Sequence, residues 1–150
     1  MAKIFWLFVL YSFLGFLLEV AFARITHAGK QDRKCLLFLP LCPVYGLGAL
    51  AVLSLPALLL RRPLLVFLAG ALVATLVEYV VAVFYEKGVG VRFWEYDQQP
   101  GNLSGRICPL YTLFWGALSL LTVYGLQPLF SPLLARIPLG LTQILFLLFA

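Results

Sequence analysis

Five long apolar runs occupy most of the chain: about Ile4 to Ala23, Leu36 to Leu60, Leu64 to Tyr85, Ile107 to Leu126 and Leu133 to Ala150. A helix that crosses a bilayer needs about 20 predominantly apolar residues, and each run is near that length. None alternates with the period of two of a barrel strand, so helix is the assignment that satisfies the backbone in lipid. The chain is 63% hydrophobic and only 11% charged, with a mean hydropathy of +1.03. A soluble domain is about half apolar and about a quarter charged, and one small core cannot bury such an excess. A soluble globular enzyme, a disordered tail and a secreted disulfide scaffold are thereby excluded. The expectation is an all-α, polytopic transmembrane bundle of about five helices, forming a single domain over residues 1–150.

Two runs are irregular. Arg136 and Pro138 interrupt the start of the last one. Pro40 and Pro43, around Cys42, interrupt the second, because proline removes an amide donor and disrupts a helix. That break reads either as a broken helix lining a cavity, a common transporter device, or as a half-unwound lead-in before a helix start near Tyr45. Glu19 interrupts the first run, and no convincing small-residue cleavage site follows, so the run is read as an anchor and not a cleavable leader.

The connections around Arg61-Arg62-Pro63 and Gln127-Pro128 are short, whereas those from Arg24 to Lys34 and from Glu86 to Arg106 are long and share one side of the membrane. The long-loop side carries seven Lys and Arg (Arg24, Lys30, Arg33, Lys34, Lys87, Arg92 and Arg106) against four opposite (Lys3, Arg61, Arg62 and Arg136). The positive-inside rule then places the long loops in the cytoplasm. The formal charge of +5 fits contact with anionic lipid head groups, and no nucleic-acid partner is expected. Three cysteines without CxxC spacing and a single His27 give no zinc pattern, so no metal and no cofactor are expected.

A faint repeat runs through the chain. Glu19, a polar loop reaching Arg33-Lys34-Cys35, and Tyr45-Gly46 have counterparts in Glu78, a loop reaching Arg106-Ile107-Cys108, and Trp115-Gly116. Two such hairpins, equally oriented, would be related by an axis along the membrane normal, with a fifth helix added.

Glu19 and Glu78 are the residues most able to carry chemistry. A carboxylate inside an apolar helix costs on the order of a few kcal/mol and normally faces a partner or a water-filled cavity. Each shares a stripe with small or polar residues: Tyr11, Gly15 and Ala23 in the first run, and Ala71, Thr75, Ala82 and Tyr85 in the third. The fourth run adds Thr112, Trp115, Gly116, Ser119 and Thr122. Such stripes let helices approach closely and leave polar groups inward. The second long loop holds Trp94, Glu95, Tyr96, Asp97, Asn102 and Arg106. Interfacial aromatics account for Trp94 and Tyr96. The carboxylates, amide and guanidinium beside them suit a polar or cationic small molecule, and Arg106 could instead hold an anion or a membrane carboxylate. Glu19, Glu78 and Arg106 are expected at one depth, as one electrostatic unit.

Six fragments together resemble the bacterial ABC-transporter type IV permeases: Tyr11-Ser12-Phe13-Leu14-Gly15-Phe16-Leu17-Leu18-Glu19, Leu41-Cys42-Pro43-Val44-Tyr45-Gly46, Glu78-Tyr79, Trp94-Glu95-Tyr96-Asp97, Asn102 through Arg106-Ile107-Cys108, and Phe114-Trp115-Gly116. The likeness covers nearly the whole chain. It departs at Ser104-Gly105-Arg106, where the family usually has Asn-Gly-Arg, which makes Asn102 a shifted candidate for that amide. It departs again at Arg33-Lys34-Cys35, where Asn-Arg-Gly is frequent. The resemblance implies a polytopic inner-membrane transport protein whose ATP hydrolysis belongs to a separate ATPase subunit.

The leading functional reading is a small transporter or permease subunit, homo-oligomeric because five helices enclose little cavity alone. Glu19 and Glu78, with Tyr11, Tyr45 and Trp115 beside them, would bind an ion or polar substrate, and Arg106 with the Trp94-to-Asp97 group would guard the entrance. Two alternatives stay open. One is a membrane enzyme acting on a lipid or polar head group, with a Glu as general base and Arg106 on phosphate. The other is a structural assembly protein whose buried charges specify packing.

Overall fold

A computed structural model describes residues 2–26, 39–138, 140 and 142. Regular structure among them is helical, apart from one isolated antiparallel bridge between Leu103 and Ile107. Helix α1 is Ala2–Ile25, α2 Pro43–Leu53, α3 Ala57–Leu60 and α4 Pro63–Phe84, which runs on through a π-helical turn, Tyr85–Val89. Helix α5, Pro109–Leu120, continues through a second π turn, Leu121–Leu126, into α6, Gln127–Leu134. Counting each continuous stretch once gives five helices among the described residues, the all-α bundle expected. Three of them are long and apolar enough to cross a membrane: Ala2–Ile25, Pro63–Val89 and Pro109–Leu134.

The second run does not make one crossing. Helix α2 has 11 residues, about 16 Å of rise against a hydrocarbon core of about 30 Å. It ends at residues 54–56, where Pro56 supplies no amide donor and disfavours helical backbone in the residue before it. At its other end Pro43 occupies the first turn and Cys42 is the N-cap. The helix thus begins close to the lead-in reading. The loop expected at Gln127-Pro128 is helical instead. The π turn takes up an extra residue just before Pro128, an adjustment that lets a helix pass a proline. The chain turns later, at residues 135–138, where Arg136 and Pro138 stand. Most of the fifth run, and the loop residues 27–38, lie outside the described residues.

Helix α2 packs between α1 and α4, and α4 packs in turn on α5. Glycines bring the backbones together. A Cβ on Gly46 would lie 2.7 Å from the Phe8 carbonyl oxygen, and one on Gly15 would lie 2.5 Å from the Tyr45 Cβ. Gly70 meets Ser119, and Gly116 meets Phe67. The opposite face of α4 is a stripe of exposed Leu64, Leu68, Leu72, Leu76, Val80 and Phe84, every fourth residue, as suits contact with lipid.

Two helices open partway along their neighbours. The Cys42 amide donates to the Ser12 carbonyl at 3.0 Å, so α2 starts beside the middle of α1, about 20 Å short of Ile25. Thr75 Oγ1 donates to Thr112 Oγ1 at 3.1 Å, which sets the first turn of α5 about 21 Å short of Val89. Irregular backbone at such depth must be covered by protein. Leu41, Cys42, Tyr96, Gly105 and Cys108 are accordingly buried.

Candidate functional site

Helix α1 presents Glu19 one turn beyond Gly15, and the space left by that glycine receives the Tyr45 ring from α2. The Tyr45 hydroxyl donates to Glu19 Oε1 at 2.6 Å. The other face of Tyr45 meets the indole of Trp115, centroid to centroid 5.1 Å. Trp115 Nε1 donates to Glu78 Oε2 at 2.9 Å, and the Tyr96 hydroxyl donates to Glu78 Oε1 at 2.9 Å. Glu78 is completely buried. The two carboxylates therefore belong to one aromatic hydrogen-bonded unit that joins α1, α2, α4, α5 and the loop before α5. Burial, and after it the Glu78 carboxylate, pushes the Tyr96 phenol far above its ordinary value, so it remains a neutral donor. Tyr111 stacks on Tyr96 at 4.5 Å and 16°.

Residues 91–108 fold back into the bundle instead of spanning its surface. Tyr96 reaches Glu78, which lies about 16 Å before Val89 along the helix. Backbone conformation makes the return possible: Gly90, Gly101, Ser104 and Gly105 all have positive φ. Asn102 donates to the carbonyls of Asp97 and Gln99 and accepts from the Gly105 amide, so it shapes the loop. Trp94 Nε1 donates to the Arg106 carbonyl at 3.0 Å.

Arg106 is not at Glu78. Its Nε donates to Glu86 Oε2 at 2.7 Å, its Nη2 also pairs with Glu86, and its guanidinium lies 5.6 Å from the centre of the Tyr79 ring. Arg92 pairs with the other Glu86 oxygen, and its Nη1 lies 3.2 Å from Glu95 and 3.4 Å from Asp97. Glu86, then Glu95, holds the Arg92 guanidinium above its ordinary value. The expected unit of Glu19, Glu78 and Arg106 thus divides in two. Arg106 instead meets another carboxylate, Glu86, eight residues or about two turns nearer the loop than Glu78. Glu95 and Asp97 are exposed around Arg92, while Tyr96 between them is buried and Trp94 packs against the core. Tyr11 is buried but donates to Gln127 at 2.9 Å, tying α1 to the start of α6 and lying two turns from Glu19.

Beside Arg92 and Arg106 is a cavity of about 10 Å³, room for about one water, lined also by Ala82, Tyr85, Glu86, Phe93 and Trp94. A second, of about 250 Å³, lies between Ala2, Lys3 and Trp6 of α1 and the end of α6 with the residues after it, Ser131 and Leu134 among them. Neither is lined by Glu19 or Glu78. Among the described residues no group of His, Cys, Asp and Glu could hold a metal. Cys42 is disulfide-bonded, and Cys108 is a free, buried thiol.

The structure also shows a repeat closer than the one first drawn. Cys42-Pro43-Val44-Tyr45 and Cys108-Pro109-Leu110-Tyr111 both open a helix, with Cys as N-cap and Pro in the first turn. The sequence carries that signal plainly; aligning Cys35 with Cys108 hides it.

A family model described as "Putative ABC-transporter type IV" matches residues 6–150. No curated protein and no solved structure matches the chain.

Proposed function

The chain belongs to the ABC-transporter type IV family, and on that premise we propose that it is the multi-pass permease subunit of a bacterial inner-membrane transporter. It moves an ion or polar small molecule past Glu19 and Glu78, forms homo-oligomers, and works with a separate ATPase subunit. Residues 1–150 act as one transmembrane domain. The observation that carries this reading is the pair of intramembrane carboxylates, joined through Tyr45, Trp115 and Tyr96 at two helices that open partway along their neighbours. Structural helix packing alone asks for no ionisable group at that depth, and broken helices at a polar centre are a transporter device.

The test is flux. Proteoliposomes enclosing a pH-sensitive dye, under a potassium diffusion potential, report proton and cation movement. Wild-type flux above that of empty liposomes, lost in a Glu19→Gln, Glu78→Gln double variant, supports the proposal. A second reading, a structural assembly protein, draws on a specific observation: both carboxylates are engaged by aromatic donors, and the cavities just described lie elsewhere. Absent flux, with the double variant only losing stability, would favour it. The lipid-enzyme reading loses support, since Arg106 is committed to Glu86.

A further inference from the structure

Glu19 and Glu78 are the same chemical group in different hydrogen-bond settings. Both oxygens of Glu78 already accept, one from the Tyr96 hydroxyl and one from Trp115 Nε1, each at 2.9 Å. An indole N–H can only donate, so Oε2 of Glu78 is held as a bare acceptor. A proton on Oε1 would force Tyr96 to turn its own hydroxyl away inside a buried site. Glu19 is freer. Its Oε1 accepts from Tyr45 at 2.6 Å, its Oε2 takes no hydrogen bond among the described residues, and the residue is only partly buried. Tyr45 can therefore go on donating to Oε1 whether or not Oε2 carries a proton, because a carboxylic acid keeps its carbonyl oxygen as an acceptor.

We propose that Glu19 is a reversible proton-binding site, with Tyr45 as its positioning residue and Glu78 as a fixed acceptor. This deepens the transport reading, on which it rests for its purpose, by naming the proton as the ion that Glu19 binds. The step is simple: a proton from water joins Oε2 and later returns to water, and no other bond changes. Among the described residues, the groups that act on the site are Tyr45 from α2, Glu78 from α4 and Tyr111 from α5. Arg24 stands on the same helix, five residues on. Arg92 and Arg106 are occupied at Glu86.

Dicyclohexylcarbodiimide tests protonation without flux. The acid proton adds to one carbodiimide nitrogen and the carboxylate oxygen to its carbon. The adduct then rearranges to a stable N-acylurea whose position mass spectrometry reads. The full chain, in lipid nanodiscs, is labelled across a pH series. The adduct is expected on Glu19, falling about tenfold per pH unit above its midpoint, and absent in Glu19→Gln. Tyr45→Phe should keep the adduct but move that midpoint, which a purely structural role for Tyr45 would not do. A monodisperse gel-filtration profile shows that each variant is folded. Labelling of Glu78 instead, no adduct on Glu19 at any pH, or a yield independent of pH overturns the proposal. Flux without a Glu19 adduct leaves transport standing and removes the proton site. A pH-dependent adduct without flux does the reverse.

Discussion

Tyr96→Phe removes one hydroxyl from the centre of the bundle and leaves the ring stacked on Tyr111 at 4.5 Å. That hydroxyl donates to a fully buried carboxylate. A hydrogen bond to a charged group contributes about 1.5–3 kcal/mol, one between neutral groups about 0.5–1.5 kcal/mol. The single variant should therefore be less stable by about 1.5–3 kcal/mol. In a Glu78→Gln background the same change should cost only the neutral amount. The difference, a coupling of about 1–1.5 kcal/mol, corresponds to a factor of about ten in the unfolding equilibrium. Equilibrium unfolding in mixed micelles, titrated with sodium dodecyl sulfate and followed by circular dichroism, measures all four members of the cycle. Equal costs in both backgrounds would refute the claim that Tyr96 stabilises a carboxylate at Glu78. So would a single variant within about 0.5 kcal/mol of wild type, the range of a surface change.

Three other outcomes are expected. Gly46→Ala should destabilise the chain by about 1–3 kcal/mol by overpacking, because its Cβ would meet the Phe8 carbonyl at 2.7 Å, while Gly48→Ala, with nothing nearer than 3.7 Å, should be near neutral in the same assay. Ser104→Asn should raise stability by about 0.5–1 kcal/mol, since Ser104 has a φ of 54° and asparagine tolerates that left-handed region better; a loss would show that the serine is needed. Gln98→Cys, in a chain with Cys108 replaced, should react with an impermeant maleimide in intact cells, the reverse of the orientation given by charge count. Arg92 and Arg106 are held by Glu86 and weigh little in that count, and Cys42 is disulfide-bonded, as suits an oxidising compartment; protection of the new cysteine would restore the cytoplasmic assignment.

The bundle was legible in the apolar runs because lipid leaves a long apolar segment one way to satisfy its backbone. Glu19 and Glu78 were legible for the same reason: they are the acidic residues within those runs. Their partners were only half legible. Trp115 stood out on a small-residue stripe and Tyr45 as its counterpart in the repeat, but which carboxylate each meets depends on helix rotation, which periodicity alone does not fix. The return of residues 91–108 to Glu78 could not be read, because a polar loop with interfacial aromatics looks the same whether it lies on the membrane or inside the protein. For that reason Arg106 was assigned to Glu78, when Glu86 was nearer. Pro128 misled in the opposite direction: a proline directly after a polar residue, Gln127, reads as a turn, and the π turn that carries the helix past it has no comparable sequence mark.

The Cys-Pro-x-Tyr pair gives the two hairpins a common frame and places their difference in the donors. In each, a Cys N-cap and a first-turn proline open a helix partway along its neighbour. The positive end of the new helix then lies at the depth where a carboxylate is most costly to leave unsupported, and a helix N-terminus favours negative charge. In the first hairpin the tyrosine of that turn donates to Glu19 itself. In the second, the equivalent Tyr111 stacks behind Tyr96, and the donors to Glu78 come from Tyr96 and Trp115. Glu19 thus takes one aromatic donor, a phenol, whereas Glu78 takes two, an indole and a buried phenol. Since Tyr45 and Trp115 are in ring contact, a change at Glu19 that moves Tyr45 presses directly on the donor to Glu78. The frame therefore sets two carboxylates with unequal sets of donors within a single packed unit.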